Sequence, residues 1–172
     1  MVRPIPVLMI FVLFLGIGHL LTLQIMPTLI MNRGIDVLTS AGAVRNSWYT
    51  APRIEDSKDT IVRPSPDLAY SVCVIDLSDG PVRIKAPGWE GYGSLAIFDS
   101  DSQNVFVGGL QDKPSLELVV DRARHTPENG EPARRVELVG NTGVALIRRL
   151  APRRDLHEQS VALMEQAVCE PA

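Results

Sequence analysis

Three side chains in the middle of the chain have the types and spacing that could support catalysis. Asp67 and Tyr70 lie at the entry to an apolar segment, and Asp99 ends a later one. Two carboxyl groups, one protonated and one ionised, can work together as an acid and a base. A structural interpretation accounts for the same residues, because Asp stabilises turns after prolines and a Tyr buries its ring while its hydroxyl bonds a neighbour. The pattern favours the structural interpretation, with a hydrolase-like enzyme using Asp67, Tyr70 and Asp99 as the alternative.

Arginines are concentrated towards the carboxyl end of the chain. Residues 134–154 contain six arginines against Glu137, whereas residues 55–112 contain ten acidic and four basic residues. Solvated, mutually neutralising faces are the simpler interpretation. The alternative is an anionic partner or lipid headgroups near this segment, with Arg148 and Arg149 as candidate binding residues. Nucleic acid is not an expected partner, since the net charge is −3 and aromatic residues do not alternate with the arginines.

The sequence contains no motif for a metal or a cofactor. The two cysteines, Cys73 and Cys169, do not have the spacing of a zinc site. Residues 99–104, "DSDSQN", begin like a calcium loop, but the glycine and glutamate that such a loop requires are missing. Phosphate loops, dinucleotide fingerprints and nucleophile elbows are absent as well. We therefore expect neither a metal nor a cofactor.

An apolar run without charged residues occupies residues 4–31. About 20 apolar residues suffice to cross the hydrocarbon core of a membrane. A cleaved signal is the alternative, but its apolar core is usually about 7–15 residues and a cleavage site follows closely. The nearest small-residue triplet, at residues 41–43, lies well past the run. We expect an uncleaved transmembrane anchor over residues 1–33. The arginines that follow it point weakly to a cytoplasmic domain.

The rest of the chain divides into a short connection and one domain. Asn32-Arg33-Gly34 has the composition of a helix end, and residues 34–58 are predicted to be a juxtamembrane helix and linker. Residues 59–172 form the predicted β-rich domain. Residues 60–63 and 69–77 are predicted strands, and 81–86 is predicted to return from 69–77 in a hairpin through an Asp-Gly turn.

Further strands are predicted up to residue 150, and a helix is predicted after them. Apolar and β-branched segments recur up to residue 150 and give seven or eight short strands in all, which predicts a mainly β sandwich or barrel-like domain. Residues 155–168 have apolar positions at helical spacing, with Asp155 suited to capping. We expect an amphipathic carboxyl-terminal helix that packs on the sheet.

Three segments give the chain a resemblance to a bacterial family. They are "TIVRPSPDLAYSVCVIDLSDGPV", "GYGSLAIFDSDSQNVF" and "RVELVGNTGVALIRRL", in that order. The chain resembles the family called domain of unknown function 1254 over about residues 59–169. That family typically has Arg-Pro-Asn-x-Asp-Thr-x-Tyr-Ser before an apolar strand that ends in Asp-Leu-Ser-x-Gly-Pro. Ser65, Leu68 and Asp101 depart from the residues usual in the family at these positions.

The resemblance implies a β-rich, exported domain, and it adds candidate binding residues where the chain matches the family pattern. These candidates are Arg63, Ser71 and Asn104. Members of the family often carry, or occur beside, a second domain of unknown function numbered 1214, which this chain lacks. The resemblance implies no established reaction.

The two cysteines leave two alternatives open. In an oxidising compartment Cys73 and Cys169 can pair, provided that the carboxyl-terminal segment crosses the strand that carries Cys73. Alternatively, both remain separate buried thiols.

Taken together, the sequence predicts a single-pass inner-membrane protein whose β domain faces the periplasm and acts as a binding or assembly module. The expected partners are the membrane and a separate protein that carries the companion domain 1214. A hydrolase-like enzyme is the alternative.

Overall fold

The computed structural model describes residues 4–53, 64–123 and 134–172. The predicted strand at residues 60–63 and the binding candidate Arg63 lie outside these ranges. The described part is mainly β, as predicted, with one long helix before the strands and one short helix near the end. The helices are α1 (Pro4–Ser40) and α2 (Arg154–Ala162), and a single 3₁₀ turn follows at Leu163–Gln166. The strands are β1 (Trp48–Thr50), β2 (Leu68–Asp76), β3 (Val82–Pro87), β4 (Gly93–Asp99), β5 (Asn104–Gly109), β6 (Ser115–Arg122), β7 (Arg134–Leu138), β8 (Thr142–Leu150) and β9 (Val168–Pro171).

Helix α1 is long and apolar enough to cross a membrane. The helix end predicted at Asn32-Arg33-Gly34 is wrong, because the helix continues without a break to Ser40. It ends instead at Gly42, whose φ of 105° is readily adopted by glycine. The N–H groups of Gly42 and Ala43 bond the carbonyls of Thr39 and Leu38 at 3.1 and 3.0 Å. This is a Schellman motif, which satisfies carbonyls that the helix end would otherwise leave free.

The strands form two sheets that face each other. Sheet A has the order β1-β2-β8-β4-β5 and is antiparallel throughout. Sheet B has the order β7-β6-β3-β9, and its β6–β7 pair is parallel. Alternate residues of both sheets point inwards, as the two-residue period of strands requires, and fill one apolar core. The prediction of a mainly β, sandwich or barrel-like domain is therefore confirmed, and the domain is a sandwich.

The predicted hairpin between residues 69–77 and 81–86 is wrong. Strand β2 pairs with β1 and β8 in sheet A, whereas β3 pairs with β6 and β9 in sheet B. The turn at Gly80, with a φ of 136°, thus carries the chain from one sheet to the other. Ile75 on one side of this turn and Ile84 on the other are completely buried in the shared core.

A disulfide between Cys73 and Cys169 joins the two sheets. Cys73 lies in β2 and Cys169 in β9, and both belong to the apolar core. The structure thereby decides between the two alternatives that the sequence left open.

The carboxyl-terminal segment departs from the single helix predicted for residues 155–168. Helix α2 ends at Ala162, and after the 3₁₀ turn the chain becomes extended and adds β9 to the edge of β3. Asp155 does not cap the helix, since Arg153 occupies the cap position and Asp155 pairs with its guanidinium at 2.9 Å. Met164 of the 3₁₀ turn packs against the core, so this segment does pack on the sandwich as predicted.

The last turns of α1 pack on the outer face of sheet A. Ile35 is buried in a cluster with Val74 of β2 and with the partly buried Val144 of β8. Ser102, in the turn between β4 and β5, donates a hydrogen bond to the carbonyl of Pro27 at 2.9 Å. Asn46 fixes the connection that follows, because its amide exchanges hydrogen bonds of 2.8 and 2.9 Å with the backbone of Asp76. The helix and the β domain therefore meet through packed contacts.

Candidate binding site

The structure separates the two carboxylates of the enzymatic alternative. Asp67 immediately precedes Leu68, which pairs with Leu150 at one end of β8. Asp99 pairs with Gly143 near the other end. Seven residues of strand separate these positions, which is about 23 Å at roughly 3.3 Å per residue. Asp67 and Asp99 do not form a carboxylate pair.

Asp99 has a structural environment. It is 1% exposed, and its carboxylate accepts hydrogen bonds from the N–H groups of Ser100 at 2.6 Å and Val139 at 2.7 Å, with Gly140 more distant at 3.4 Å. These bonds join the turn after β4 to the connection between β7 and β8. Because backbone N–H groups need partners when they are buried, Asp99 stabilises the end of the sandwich.

The remaining candidate residues do not form one cluster. Asp67 is exposed, and its turn is closed by a bond of 3.2 Å from the N–H of Leu68 to the carbonyl of Ser65. The Tyr70 hydroxyl accepts a hydrogen bond from the N–H of Ser65 at 2.9 Å. Ser71 is buried, with its hydroxyl 3.1 Å from that of Thr50. Asn104 lies apart from these residues, because it is exposed at the start of β5 and pairs with Phe98, three strands away from β2.

Arg148 and Arg149 are adjacent in sequence but point to opposite faces of sheet A. Arg148 lies on the outer face, in register with Tyr70 on one side and Ser94 on the other. Arg149 points inwards and is 0% exposed, which makes it the largest fully buried side chain among the described residues. The two candidate arginines therefore cannot bind the same group from one face, because neighbouring residues in a strand alternate between faces.

The buried guanidinium of Arg149 holds three segments together. Its Nη2 donates to the carbonyl of Pro87 at 3.0 Å, and its Nη1 donates to the carbonyl of Ser160 at 3.3 Å and to the sulfur of Met164 at 3.2 Å. It also lies 5.9 Å from the centre of the Trp89 ring. No carboxylate pairs with it among the described residues, and burial lowers the pKa of Arg149 to about 10.

A wide cleft opens directly beyond this arginine. Its volume is about 1310 Å³, and its walls are residues 87–91, residues 112–114, the end of β8 and one side of α2 with the 3₁₀ turn. Trp89, Leu150, Leu156 and Leu163 contribute apolar surface. Its charged residues are Glu90, Asp112, Lys113 and Glu165. The Trp89 indole N–H donates to the carbonyl of Leu150 at 3.2 Å, which fixes one wall.

The chemistry of the cleft suits binding. Within the described residues its lining combines apolar side chains with three carboxylates and Lys113. The described part of the chain also holds no group of three or more His, Cys, Asp or Glu residues that could bind a metal ion. Apolar walls with a few charged groups are typical of sites that bind a ligand or a partner segment.

Sequence reasoning did not identify this cleft. Trp89 lies in the glycine-rich connection "PGWEGYG", which gave no sign that its indole packs beside a buried arginine. The alternation of β8 gave a partial signal, since it places either Arg148 or Arg149 among apolar inward residues. A charged residue at an inward position of a strand indicates an unusual environment.

These observations define a two-sheet β domain with a long apolar amino-terminal helix and a cleft at one end of the sandwich. The chain belongs to the family described as protein of unknown function (DUF1254), which matches residues 45–171. No curated protein matches the chain.

Two solved structures resemble the chain. The VPA0106 protein from Vibrio parahaemolyticus has a TM-score of 0.61 and 14% identity over 83% of this chain and 34% of its own. An uncharacterised protein from Burkholderia cenocepacia has a TM-score of 0.41 and 16% identity over 63% of this chain and 31% of its own. The chain thus spans about a third of the length of each solved protein, and the Vibrio structure supports the fold.

Proposed function

We propose that this protein is a single-pass inner-membrane protein whose β domain faces the periplasm and binds a partner protein through the cleft beside Trp89. The apolar helix α1 provides the anchor, and the sandwich provides the binding module. The observation that carries the binding role is the cleft itself, with its apolar walls above the buried Arg149.

The disulfide supports the periplasmic location. Disulfides persist in oxidising compartments such as the bacterial periplasm and are rare in the cytosol. Cys73 and Cys169 are both buried and their bond joins two sheets, so it belongs to the core of the domain. We give this bond more weight than the few arginines that follow the helix, because it lies in the buried core of the domain.

The length of the Vibrio protein supports a contact between this fold and further protein. That chain is about three times as long as the segment that resembles this one, so the fold occurs there beside further protein. We expect the corresponding contact here to involve a separate protein that carries the companion domain 1214. A shared membrane raises the effective concentration of the two proteins and favours their association.

Location and binding can be tested separately. A reporter that is active only outside the cytoplasm, fused after Ala172, is expected to be active, and a cytoplasm-only reporter is expected to be silent. The reverse result would contradict the periplasmic location.

Binding can be tested with a photo-crosslinking side chain in intact membranes. The probe replaces Gln159, which is exposed and lines the cleft, and the matched control places it at the exposed Arg83 on sheet B. We expect a crosslink from position 159 to a protein that carries the companion domain, and little from position 83. Equal crosslinking from both positions, or capture at neither, would reject the cleft as the binding surface.

A further inference from the structure

A row of polar side chains crosses the outer face of sheet A, separate from the cleft. Tyr70 of β2 and Ser94 of β4 are the direct cross-strand neighbours of Arg148 in β8. Directly opposite residues on one face have Cβ atoms about 5 Å apart, so the three side chains can contact one group together. Helix α1 contacts Val74 and Val144, four residues further along the same strands, or about 13 Å away.

The guanidinium of Arg148 has unused hydrogen-bonding capacity. Within residues 4–53, 64–123 and 134–172 it forms no ion pair, and its Nε is buried without a hydrogen-bond partner. By contrast, Arg45, Arg135 and Arg153 each pair with an Asp. A buried donor without a partner is unfavourable, so a bound acceptor at Arg148 would be stabilising.

The neighbouring hydroxyls can complete a site for such an acceptor. The Tyr70 oxygen already accepts from the N–H of Ser65, which leaves its own proton free to be donated. Ser94 is 5% exposed, and its hydroxyl lies 3.5 Å from that of Tyr92. The row thus combines one fixed positive charge with hydroxyl donors, and none of its positions carries a carboxylate.

We infer that Tyr70, Arg148 and Ser94 form a binding site for an oxyanion, a carboxylate or phosphate group of a small molecule. Arginine bonds such groups through two parallel N–H donors, which a lysine cannot reproduce. The row is distinct from the proposed partner contact, because none of its three residues lines the cleft.

The test is titration of the full-length protein in neutral detergent micelles with inorganic phosphate and, separately, with acetate. Side-chain Nε–H signals of arginine in ¹⁵N NMR spectra report binding directly, and constant ionic strength removes the effect of screening. We expect the Arg148 signal to shift in a saturable way. Arg148→Gln should weaken binding roughly ten-fold or more, and Arg148→Lys should weaken it less, because charge-assisted bonds are lost in the first and the two-donor geometry in the second.

The matched control is Arg83→Gln, which removes one exposed arginine from sheet B and should leave both titrations unchanged. Tyr70→Phe removes one hydroxyl and is expected to weaken binding several-fold. It is the alternative test of the site if Arg148→Gln does not fold. Saturation by one anion alone identifies the preferred group. Absence of saturable binding by both anions, or equal binding by wild type, Arg148→Lys and Tyr70→Phe, overturns the inference.

Discussion

Reduction of the Cys73–Cys169 disulfide is expected to destabilise the β domain strongly without replacing any residue. The bond closes a loop between residues 96 positions apart and joins the last strand to the opposite sheet. A covalent loop restricts the unfolded chain, so its loss raises the entropy of the unfolded state.

The expected magnitude follows from the loop length. Closure of a loop of about 100 residues contributes about 4.7 kcal/mol at 25 °C in the chain-entropy description. Small domains are stable by about 5–15 kcal/mol in total, so this bond accounts for a large share of the stability. With a urea dependence of about 2 kcal/mol per molar, the unfolding midpoint should fall by roughly 2 M.

The assay is urea unfolding of the full-length protein in detergent micelles, with and without reductant. The protein has two tryptophans, Trp48 and Trp89, and both pack against the core of the sandwich, so their fluorescence reports on the β domain. A Cys73→Ala, Cys169→Ala variant, insensitive to reductant, provides the control. Coincident unfolding curves for the oxidised and reduced protein, or two free thiols in unreduced denatured material, would refute the reasoning.

Further variants test the buried polar groups. Arg149→Met should keep the free energy of unfolding within about 1 kcal/mol of wild type, because loss of a buried charge offsets the lost hydrogen bonds. Arg149→Ala should lower it by about 3 kcal/mol, because it leaves a cavity. Equal losses for the two variants in urea unfolding would contradict this. Asp99→Ala should lower the free energy of unfolding by about 2 kcal/mol, because it leaves backbone N–H groups without an acceptor, and an unchanged thermal midpoint would count against that role. Hydrogen bonds from Ser78, and then from Arg45, lower the pKa of Asp76 below 3.8, so its contribution is present above pH 3.8 and is lost as the pH falls further. Asp76→Asn should therefore reduce the loss of stability between about pH 5 and about pH 3, and an identical pH profile would exclude this contribution.

The sequence predicted the strands better than their partners. Alternating apolar residues identified β2 and β8, and the number of such segments predicted a sandwich or barrel-like domain. The Asp-Gly turn before β3 has the composition of a hairpin, yet it connects two sheets. Local sequence does not distinguish the two cases, since the choice depends on burying Ile75 and Ile84 in one core.

The sequence likewise predicted only part of the environment of Arg148 and Arg149. A two-residue alternation is sufficient to place Arg148 and Arg149 on opposite faces. It cannot show that Arg149 is the one that points inwards, because its partners Ser160 and Met164 belong to a segment that folds back over the end of the sheet. Strand β9 was missed because its residues continue a helical pattern of apolar positions, and pairing with the edge of β3 decides their conformation.

If the apolar helix α1 spans a membrane, its length sets the distance between that membrane and the β domain. Its 37 residues span about 55 Å, whereas the hydrocarbon core is about 30 Å thick, so several turns project beyond the bilayer. These turns are packed against sheet A near Val144, and the cleft lies beyond Leu150, about 20 Å further along β8. In a membrane the helix would therefore hold the β domain at a fixed distance from the bilayer and would not act as a flexible linker. The cleft would then lie at one distance from the bilayer. A membrane-bound partner would bind only if its own binding surface lay at that distance.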